Sequence, residues 1–564
     1  MRKTFYILSF ISAFTFFLKS TVKAQSLPVG TPALEDYYRR QQLLGKLDSS
    51  VSFTVRPMFP ATAFKVHDAF DPDTTLKGDN WSYMGPVSFA NGAGKFQILP
   101  LSLVQQFNSH NPYGWNDGPM IPAKGYQTMA TGGIFLKYGP LSVQLMPQFV
   151  YAANPSFNGF ATGHNDTDLK NYYNFYNYID QPERFGTGSY TKAFLGESSI
   201  RLTFDPISIG LSNESMWWGP GIRNSIIMGN NAPGFKHITL NTTRPIRTPV
   251  GAFEGEVIAG RLDGSGFTPL ITHKLSNGTE LYAQKRDDWR YFTGVNITYQ
   301  IRWVPGLTLG LIRTFDAYRK DVNTLSEYVP FFFPYQKQAT NDGDPIPRDQ
   351  QTSLYARWLF PKAQAEVYFE YGLNDNSYNF RDFIGSPEHS RAYIFGLRKM
   401  MPLANADQHL LFSAEITQLS QTVDRLVRTA GGWYVHSQIT YGETNVGQIM
   451  GAGTGSGGNL QSAGLSWVSG LKTLGIRFER YEHNLDFSQK FYPDINGNSR
   501  NWVDFAVALQ GDWTYKNLIF NATLEGVKSL NYEWVLKDYN PSQYYIPHND
   551  SFNLHALIGV TYRF

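Results

Sequence analysis

Three neighbouring segments of the sequence could carry the chemistry of a binding site, because each alternates apolar and polar residues. Side chains two positions apart on a strand share one face, so the polar positions of each segment line up together. If the apolar positions face lipid, the opposite face carries Glu214, His237, Asn241, Glu254 and Glu256. Carboxylates and amides bond paired hydroxyls, which predicts a carbohydrate-binding wall. The alternative is a purely structural role, since barrel lumens are polar whatever they bind.

The tandem Trp217-Trp218 and the nearby Arg223 complete the set of candidate binding residues. Indole faces stack on sugar rings, whereas a Trp at the end of a membrane strand commonly anchors at the interface. We therefore expect one of the two Trp side chains in the interfacial girdle and the other facing the lumen or a loop. Arg223 is a candidate contact to the ligand, with an ion pair to a lumenal carboxylate as the structural alternative.

Catalysis is the less favoured use of the same carboxylates. Glu254 and Glu256 lie two positions apart, which on a strand separates them by about 6.6 to 7 Å and is compatible with hydrolysis by paired carboxylates. Glu214 is the third carboxylate of this kind. Nothing near them in the sequence organises a nucleophile or an acid, the 11 His residues lack zinc-protease spacing, and Cys is absent. We predict a protein that is not an enzyme and that uses neither a cofactor nor a metal.

These residues need a sheet to position them, and the sequence predicts a large one. From Phe552 to Phe564 every even-numbered residue is apolar, which indicates a strand with one lipid-facing side. The same period of two recurs at residues 295–303, 354–360, 365–371, 410–416, 503–509 and 518–524. Aromatic residues at the strand ends are typical of outer-membrane barrels. We therefore predict an all-β chain that forms a transmembrane outer-membrane β-barrel of antiparallel strands.

The composition excludes several other classes of protein. Aromatic residues make up 15% of the 564-residue chain and charged residues only 17%, whereas an average soluble protein has about 25% charged residues. The mean hydropathy of −0.32 is too polar for a bundle of membrane helices. The formal net charge of +3 gives no support for a nucleic-acid partner.

The start of the chain predicts export. A basic beginning, an apolar stretch from Phe5 to Leu18 and a small-residue end are the layout of a cleaved signal peptide over residues 1–24. Apolar residues at helical spacing within residues 25–50 predict one short helix on the periplasmic side, ahead of the barrel. Residues 51–564 show no break in composition and are interpreted as one barrel, whose length predicts about sixteen to twenty strands.

Several sequence blocks between residues 130 and 262 are unusual enough to compare with known families. They are IDQPERFG (179–186), SNESMWWGPG (212–221), RNSIIMGNNAPGF (223–235), TLNTTRP (239–245) and FEGEVIAGRL (253–262). In their composition and order they resemble the Wzi family of capsule-assembly outer-membrane proteins. That resemblance implies a barrel of about eighteen strands with a periplasmic helical element, acting as a lectin that helps to hold capsular polysaccharide on the cell surface.

We therefore expect an outer-membrane, lectin-like protein that assembles or anchors capsular polysaccharide or exopolysaccharide. Its predicted partners are that polysaccharide, the outer-membrane lipids and a polysaccharide export complex, and no nucleic acid. The alternative is a diffusion porin or sugar channel, because a barrel fold does not determine function. Conductance across a planar bilayer would distinguish the two.

Overall fold

The computed structural model describes residues 25–74, 76, 85–270, 274–332, 347–374, 380–422, 432–491, 501–535, 546 and 549–564. The predicted signal peptide lies outside these residues. Among them, no helix combines the length and the apolar character needed to cross a membrane.

Strands dominate the described chain. In chain order they are β1 (Val55–Arg56), β2 (Val87–Phe89), β3 (Gly94–Asn108), β4 (Gly125–Tyr138), β5 (Leu141–Leu145), β6 (Gln148–Ala152), β7 (Tyr190–Phe194), β8 (Ser199–Phe204), β9 (Ile207–Ser212), β10 (Trp217–Trp218), β11 (Lys236–Thr242), β12 (Ile246–Thr248), β13 (Gly251–Leu262), β14 (Arg290–Ile301), β15 (Leu307–Tyr318), β16 (Asp349–Phe360), β17 (Ala365–Asn374), β18 (Arg391–Pro402), β19 (Gln408–Gln418), β20 (Thr444–Asn445), β21 (Gln448–Ile449), β22 (Asn459–Ser469), β23 (Lys472–Glu482), β24 (Val503–Tyr515), β25 (Leu518–Leu530) and β26 (Ser551–Tyr562). The helices are α1 (Pro32–Leu43), α2 (Pro60–Ala63), α3 (Asp166–Tyr176), α4 (Leu325–Tyr328), α5 (Phe380–Gly385) and α6 (Leu485–Phe491).

The wall is a closed barrel of 18 antiparallel strands. It begins at β3 and ends at β26, and these two strands pair with each other, Val560 lying opposite Leu103. Two wall strands are each interrupted, so that β5 with β6 forms one strand and β7 with β8 forms the next. The predicted all-β barrel and its predicted strand number are confirmed.

The two ends of the barrel differ in the length of their connections. Short turns join the strands at one end, as at Lys516-Asn517 between β24 and β25, and long loops join them at the other. In bacterial outer-membrane barrels the short turns are periplasmic and the long loops extracellular. We name the two ends accordingly.

The outer surface of the wall is apolar, as the alternation predicts. On β26, the outward-facing Leu554 and Ile558 are 38% and 56% exposed, whereas the inward-facing Asn553 and His555 are 2% and 6% exposed. Exposed aromatic residues such as Trp303, Trp513 and Tyr138 lie near the periplasmic turns. An apolar band bordered by aromatic side chains is the surface of a protein that crosses a membrane.

The lumen is filled by three segments of the same chain. The first is the N-terminal segment 25–74, whose β1 pairs with β10 so that Arg56 lies opposite Trp217. The second is the segment 213–235 between β9 and β11, and the third is the segment 432–458 between β19 and β22. We call these the three infolded segments. Where the second and third meet, Trp218, Ile226, Trp433 and Tyr434 belong to one buried apolar cluster.

The predicted N-terminal helix is present as α1, but it lies inside the barrel. Pro32 occupies its first turn, where the missing amide hydrogen costs nothing, and a lysine- and glycine-containing turn follows it. Leu43 packs against Leu359 and Met400, which face the lumen near the periplasmic turns. The helix therefore fills the periplasmic half of the lumen and does not stand apart in the periplasm. The wall correspondingly begins at β3, residue 94, later than the predicted boundary at residue 51.

Candidate functional site

Glu214 lies where the N-terminal segment meets the wall. Its carboxylate accepts hydrogen bonds from the Arg201 guanidinium at 2.6 Å, from the Ser212 hydroxyl at 2.9 Å and from the hydroxyl of Ser26. The side chain is fully buried. Glu214 therefore joins the first described residues to β8 and β9.

Glu256 and the Trp pair form a second junction between an infolded segment and the wall. The Trp218 indole donates to Glu256 Oε2 at 2.9 Å, and the Thr239 hydroxyl donates to the other carboxylate oxygen at 2.9 Å. Trp217 and Trp218 are only 5% and 0% exposed. The interfacial position expected for one Trp is therefore wrong. Both indoles lie in the lumen because β10 pairs with β1 there and not with the wall.

The other carboxylate and polar candidates also have partners within the chain. Glu254 accepts the backbone N–H of Ser52 at 2.7 Å. The His237 Nδ1–H donates to a backbone carbonyl at 2.7 Å, and Asn241 accepts from the Arg201 guanidinium at 2.8 Å. The predicted lumenal face is thus present. Glu254 and His237 bond the infolded segments to the wall, whereas Asn241 bonds another wall strand.

Arg223 belongs to a different environment on the opposite side of the infolded segments. Its guanidinium makes two hydrogen bonds to the Glu479 carboxylate, at 2.8 and 3.0 Å, and lies 5.2 Å from the centre of the Trp115 ring. Arg477 contacts the same Glu479 at 3.2 Å and also contacts Glu525 at 3.4 Å. Charged groups from the second infolded segment, β23 and β25 are therefore held together.

A cavity of about 550 Å³ separates the infolded segments from one side of the wall. That side consists of β3, β4, β19 and β22–β26. Of the eight candidate residues predicted from the sequence, Trp217 and Arg223 line this cavity, and the other six do not. The structure thus separates the candidates into cavity-lining residues and residues that bond the wall to itself or to the infolded segments.

The β3–β4 loop, which was not among the predicted site residues, contributes Tyr113, Trp115, Asn116 and Asp117 to the cavity. Buried polar atoms without a hydrogen-bond partner among the described residues include Trp115 Nε1, Asn116 Oδ1 and Trp217 Nε1. Such groups are able to bond hydroxyls. Each indole packs one face against a guanidinium, Trp115 against Arg223 and Trp217 against Arg56. The site could have been predicted from residues 111–118, because this run combines aromatic residues with turn-forming Asn, Pro, Asp and Gly.

Comparison with known proteins assigns the family. The model of the capsule assembly protein Wzi matches residues 129–533, well over half of the chain. The chain belongs to the Wzi family. No curated protein sequence matches closely enough to add to this assignment.

Among solved structures, the Wzi-family chain is similar to Wzi of Escherichia coli, an outer membrane protein described as involved in group 1 capsule assembly and as a carbohydrate-binding β-barrel. The TM-score is 0.58 at 12% identity, over 96% of this chain and 99% of that chain. OccAB2 of Acinetobacter baumannii gives a TM-score of 0.38 at 11% identity, over 82% of this chain and 97% of that chain.

The sequence blocks that resemble the Wzi family contribute largely to the lumen. SNESMWWGPG, residues 212–221, forms the start of the second infolded segment, and FEGEVIAGRL, residues 253–262, is the part of β13 that carries Glu254 and Glu256. In this Wzi-family chain the blocks therefore build the contact between the infolded segments and the wall.

Proposed function

We propose that this protein is a non-enzymatic, lectin-like component of the outer membrane that binds capsular polysaccharide or exopolysaccharide and helps to hold it at the cell surface. Membership of the capsule-assembly family supports a role in capsule assembly. The single observation that carries the binding role is the cavity lined by Trp115, Trp217 and Arg223. Export through cleavage of the signal peptide of residues 1–24 belongs to the same proposal.

The cavity has the chemistry that carbohydrates require. Indole faces pack on the C–H face of a sugar ring, and guanidinium and amide groups bond pairs of hydroxyls. Arg223 is already fixed by its two hydrogen bonds to Glu479, so it can present its remaining donors without losing much side-chain freedom. Trp115, Trp217 and Arg223 are thus the residues that we propose to contact sugar. Glu214, Trp218, His237, Asn241, Glu254 and Glu256 support the site indirectly.

The porin alternative requires an unobstructed path, and the infolded segments stand in its way. Arg39 of α1 and Arg357 of β16 both contact Glu366 of β17, so buried ion pairs hold the helix against the wall inside the lumen. At the extracellular end, residues from three loops form an aromatic cluster: Phe160, Tyr172, Tyr173, Phe487 and Trp534. These features favour binding over free diffusion. Planar-bilayer conductance typical of a general porin would reverse that preference.

The polysaccharide export complex remains a proposed partner. The periplasmic end offers a second cavity of about 480 Å³, lined among others by Lys46, Asp73 and His409. A delivering complex would approach this end, because the polysaccharide arrives from the periplasm. Outer-membrane lipids surround the apolar band of the wall.

The test compares two Trp→Ala variants in a strain deleted for the gene. Trp115→Ala removes a cavity-lining indole, and Trp513→Ala removes an exposed indole from the outer surface of β24. Cell-bound and shed polysaccharide are measured, with the gel shift on heating as the folding control. We expect W115A to shift polysaccharide into the medium and W513A to retain it. Normal retention of polysaccharide by the deletion strain itself would refute the proposed function.

A further inference from the structure

The outward-facing charges of the wall are distributed unevenly. Apart from Glu482, the last residue of β23, every Asp and Glu on the described wall strands points into the lumen. Outward-facing basic residues instead gather in the extracellular halves of the strands: Lys236, Arg261, Arg313, Arg391, Arg480 and Lys528. At the periplasmic ends the outward-facing strand cations are Lys399 and Lys472. The leaflet that meets the extracellular half therefore faces a positively charged wall.

Arg313 is the most informative of these cations. It follows the lipid-facing Leu309 and Leu311 along β15 and lies opposite Val295 of β14. In the part of the chain that the structure describes, Arg313 has no carboxylate partner, and its guanidinium lies 4.8 Å from the centre of the Phe315 ring. Arg261, by contrast, contacts Asp263 at 2.7 Å. A lipid-facing cation that has no carboxylate partner among the described residues is suited to bind an anion from the membrane.

The loop after β15 folds back against the extracellular part of that strand and forms a ledge there. Pro330–Phe332 contacts β15, and the hydroxyl of the outward-facing Tyr291 donates to the carbonyl of Tyr328 at 2.9 Å. The outward-facing Phe315 is consequently only 2% exposed. The Arg319 guanidinium lies 5.5 Å from the Tyr328 ring on this ledge. Arg313 thus sits near the corner between the lipid-facing wall and this folded-back loop.

We propose that this corner binds a phosphate group of a phosphorylated glycolipid of the outer leaflet, of the lipid A type. The planar guanidinium of Arg313 matches the geometry of a phosphate group. Leu309, Leu311 and Ile297 below the corner provide an apolar surface for acyl chains. The site lies on the outside of the barrel and does not depend on the sugar-binding cavity.

The test measures lipid retention by purified protein in mild detergent. Wild type, Arg313→Gln and Lys399→Gln are mixed with bisphosphorylated lipid A or with its dephosphorylated form, and bound lipid is counted by native mass spectrometry. Lys399 is the matched control, because it faces outward at the periplasmic end of β18. We expect R313Q to bind the phosphorylated lipid roughly tenfold more weakly, the loss typical of one charge-assisted bond. K399Q should bind it like wild type.

Three results would overturn the proposal. They are equal binding by R313Q and wild type, equal binding of the dephosphorylated lipid, and displacement of lipid A by an equal concentration of inorganic phosphate. The gel shift on heating establishes that each variant is folded. If R313Q does not give a folded barrel, Arg313→Leu, which continues the apolar surface of Leu309 and Leu311, serves in its place, and unchanged binding by R313L would then count against the site.

Discussion

Removing the Glu214 carboxylate tests whether a buried ion pair holds the N-terminal segment inside the barrel. In Glu214→Gln, the Arg201 guanidinium, 3% exposed, loses the anion that it contacts at 2.6 Å. A buried charge left without its partner costs about 3–5 kcal/mol. The Ser26 and Ser212 hydroxyls keep a hydrogen-bonding neighbour in the amide, so the loss reports mainly on the charge. We expect the free energy of unfolding to fall by that amount.

The matched control breaks an exposed pair of the same chemistry. Arg244 contacts Asp205 at 2.8 Å, but their side chains are 40% and 29% exposed. Such a pair contributes about 0–1 kcal/mol, because water screens both charges. Urea unfolding of the two purified variants in detergent, followed by tryptophan fluorescence, measures the difference. Asp205→Asn should unfold close to wild type and Glu214→Gln at clearly lower urea.

A second readout follows the N-terminal segment itself. Because Glu214 bonds Ser26, its loss should also expose the segment to trypsin at Lys46 or Lys65 in the folded barrel. Equal urea midpoints for the two variants, together with unchanged cleavage, would refute the role of the Arg201–Glu214 pair.

Three further outcomes are expected. Ile297→Arg places a charge on the lipid-facing side, where Ile297 is 49% exposed, and should cost about 2–4 kcal/mol near the midplane, measured as a smaller heat-modifiable fraction. Gly396→Ala would put a Cβ 2.2 Å from Cζ of the Tyr368 ring, and the resulting overpacking should lower stability by about 1–3 kcal/mol in urea unfolding. Burial raises the pKa of Asp117 to about 6, opposed by Gln106, so the folded state favours the protonated acid and wild type loses stability as pH rises from about 4 to 6. Asp117→Asn should lack that slope, and parallel pH profiles for the two proteins would contradict the assignment.

The wall was predictable from the sequence because its signal is local. Each strand exposes one side to lipid and the other to the lumen, so the period of two in Phe552–Phe564 records which residues point outward. The same rule predicted the inward orientation of Glu256 and His237 correctly. Strand number followed from chain length and the need to close the sheet.

The contents of the lumen depend on contacts that no local pattern records. Glu254 accepts from Ser52, and Arg223 binds Glu479, across more than 200 residues of sequence in each case. Whether a lumen-facing carboxylate meets a ligand or another part of the chain depends on which segment folds in beside it. Alternation specifies only the side of the strand on which that carboxylate lies.

Trp217 and Trp218 illustrate the division most clearly. Their sequence is equally suited to an interfacial girdle and to a lumenal contact, since an indole has an apolar body and one polar N–H group. Pairing with Val55 and Arg56 decides between these positions by carrying the two residues inside the barrel. The side-chain alternation of the wall is therefore a property of each strand alone, whereas the binding cavity exists only because distant segments fold into the same enclosed space.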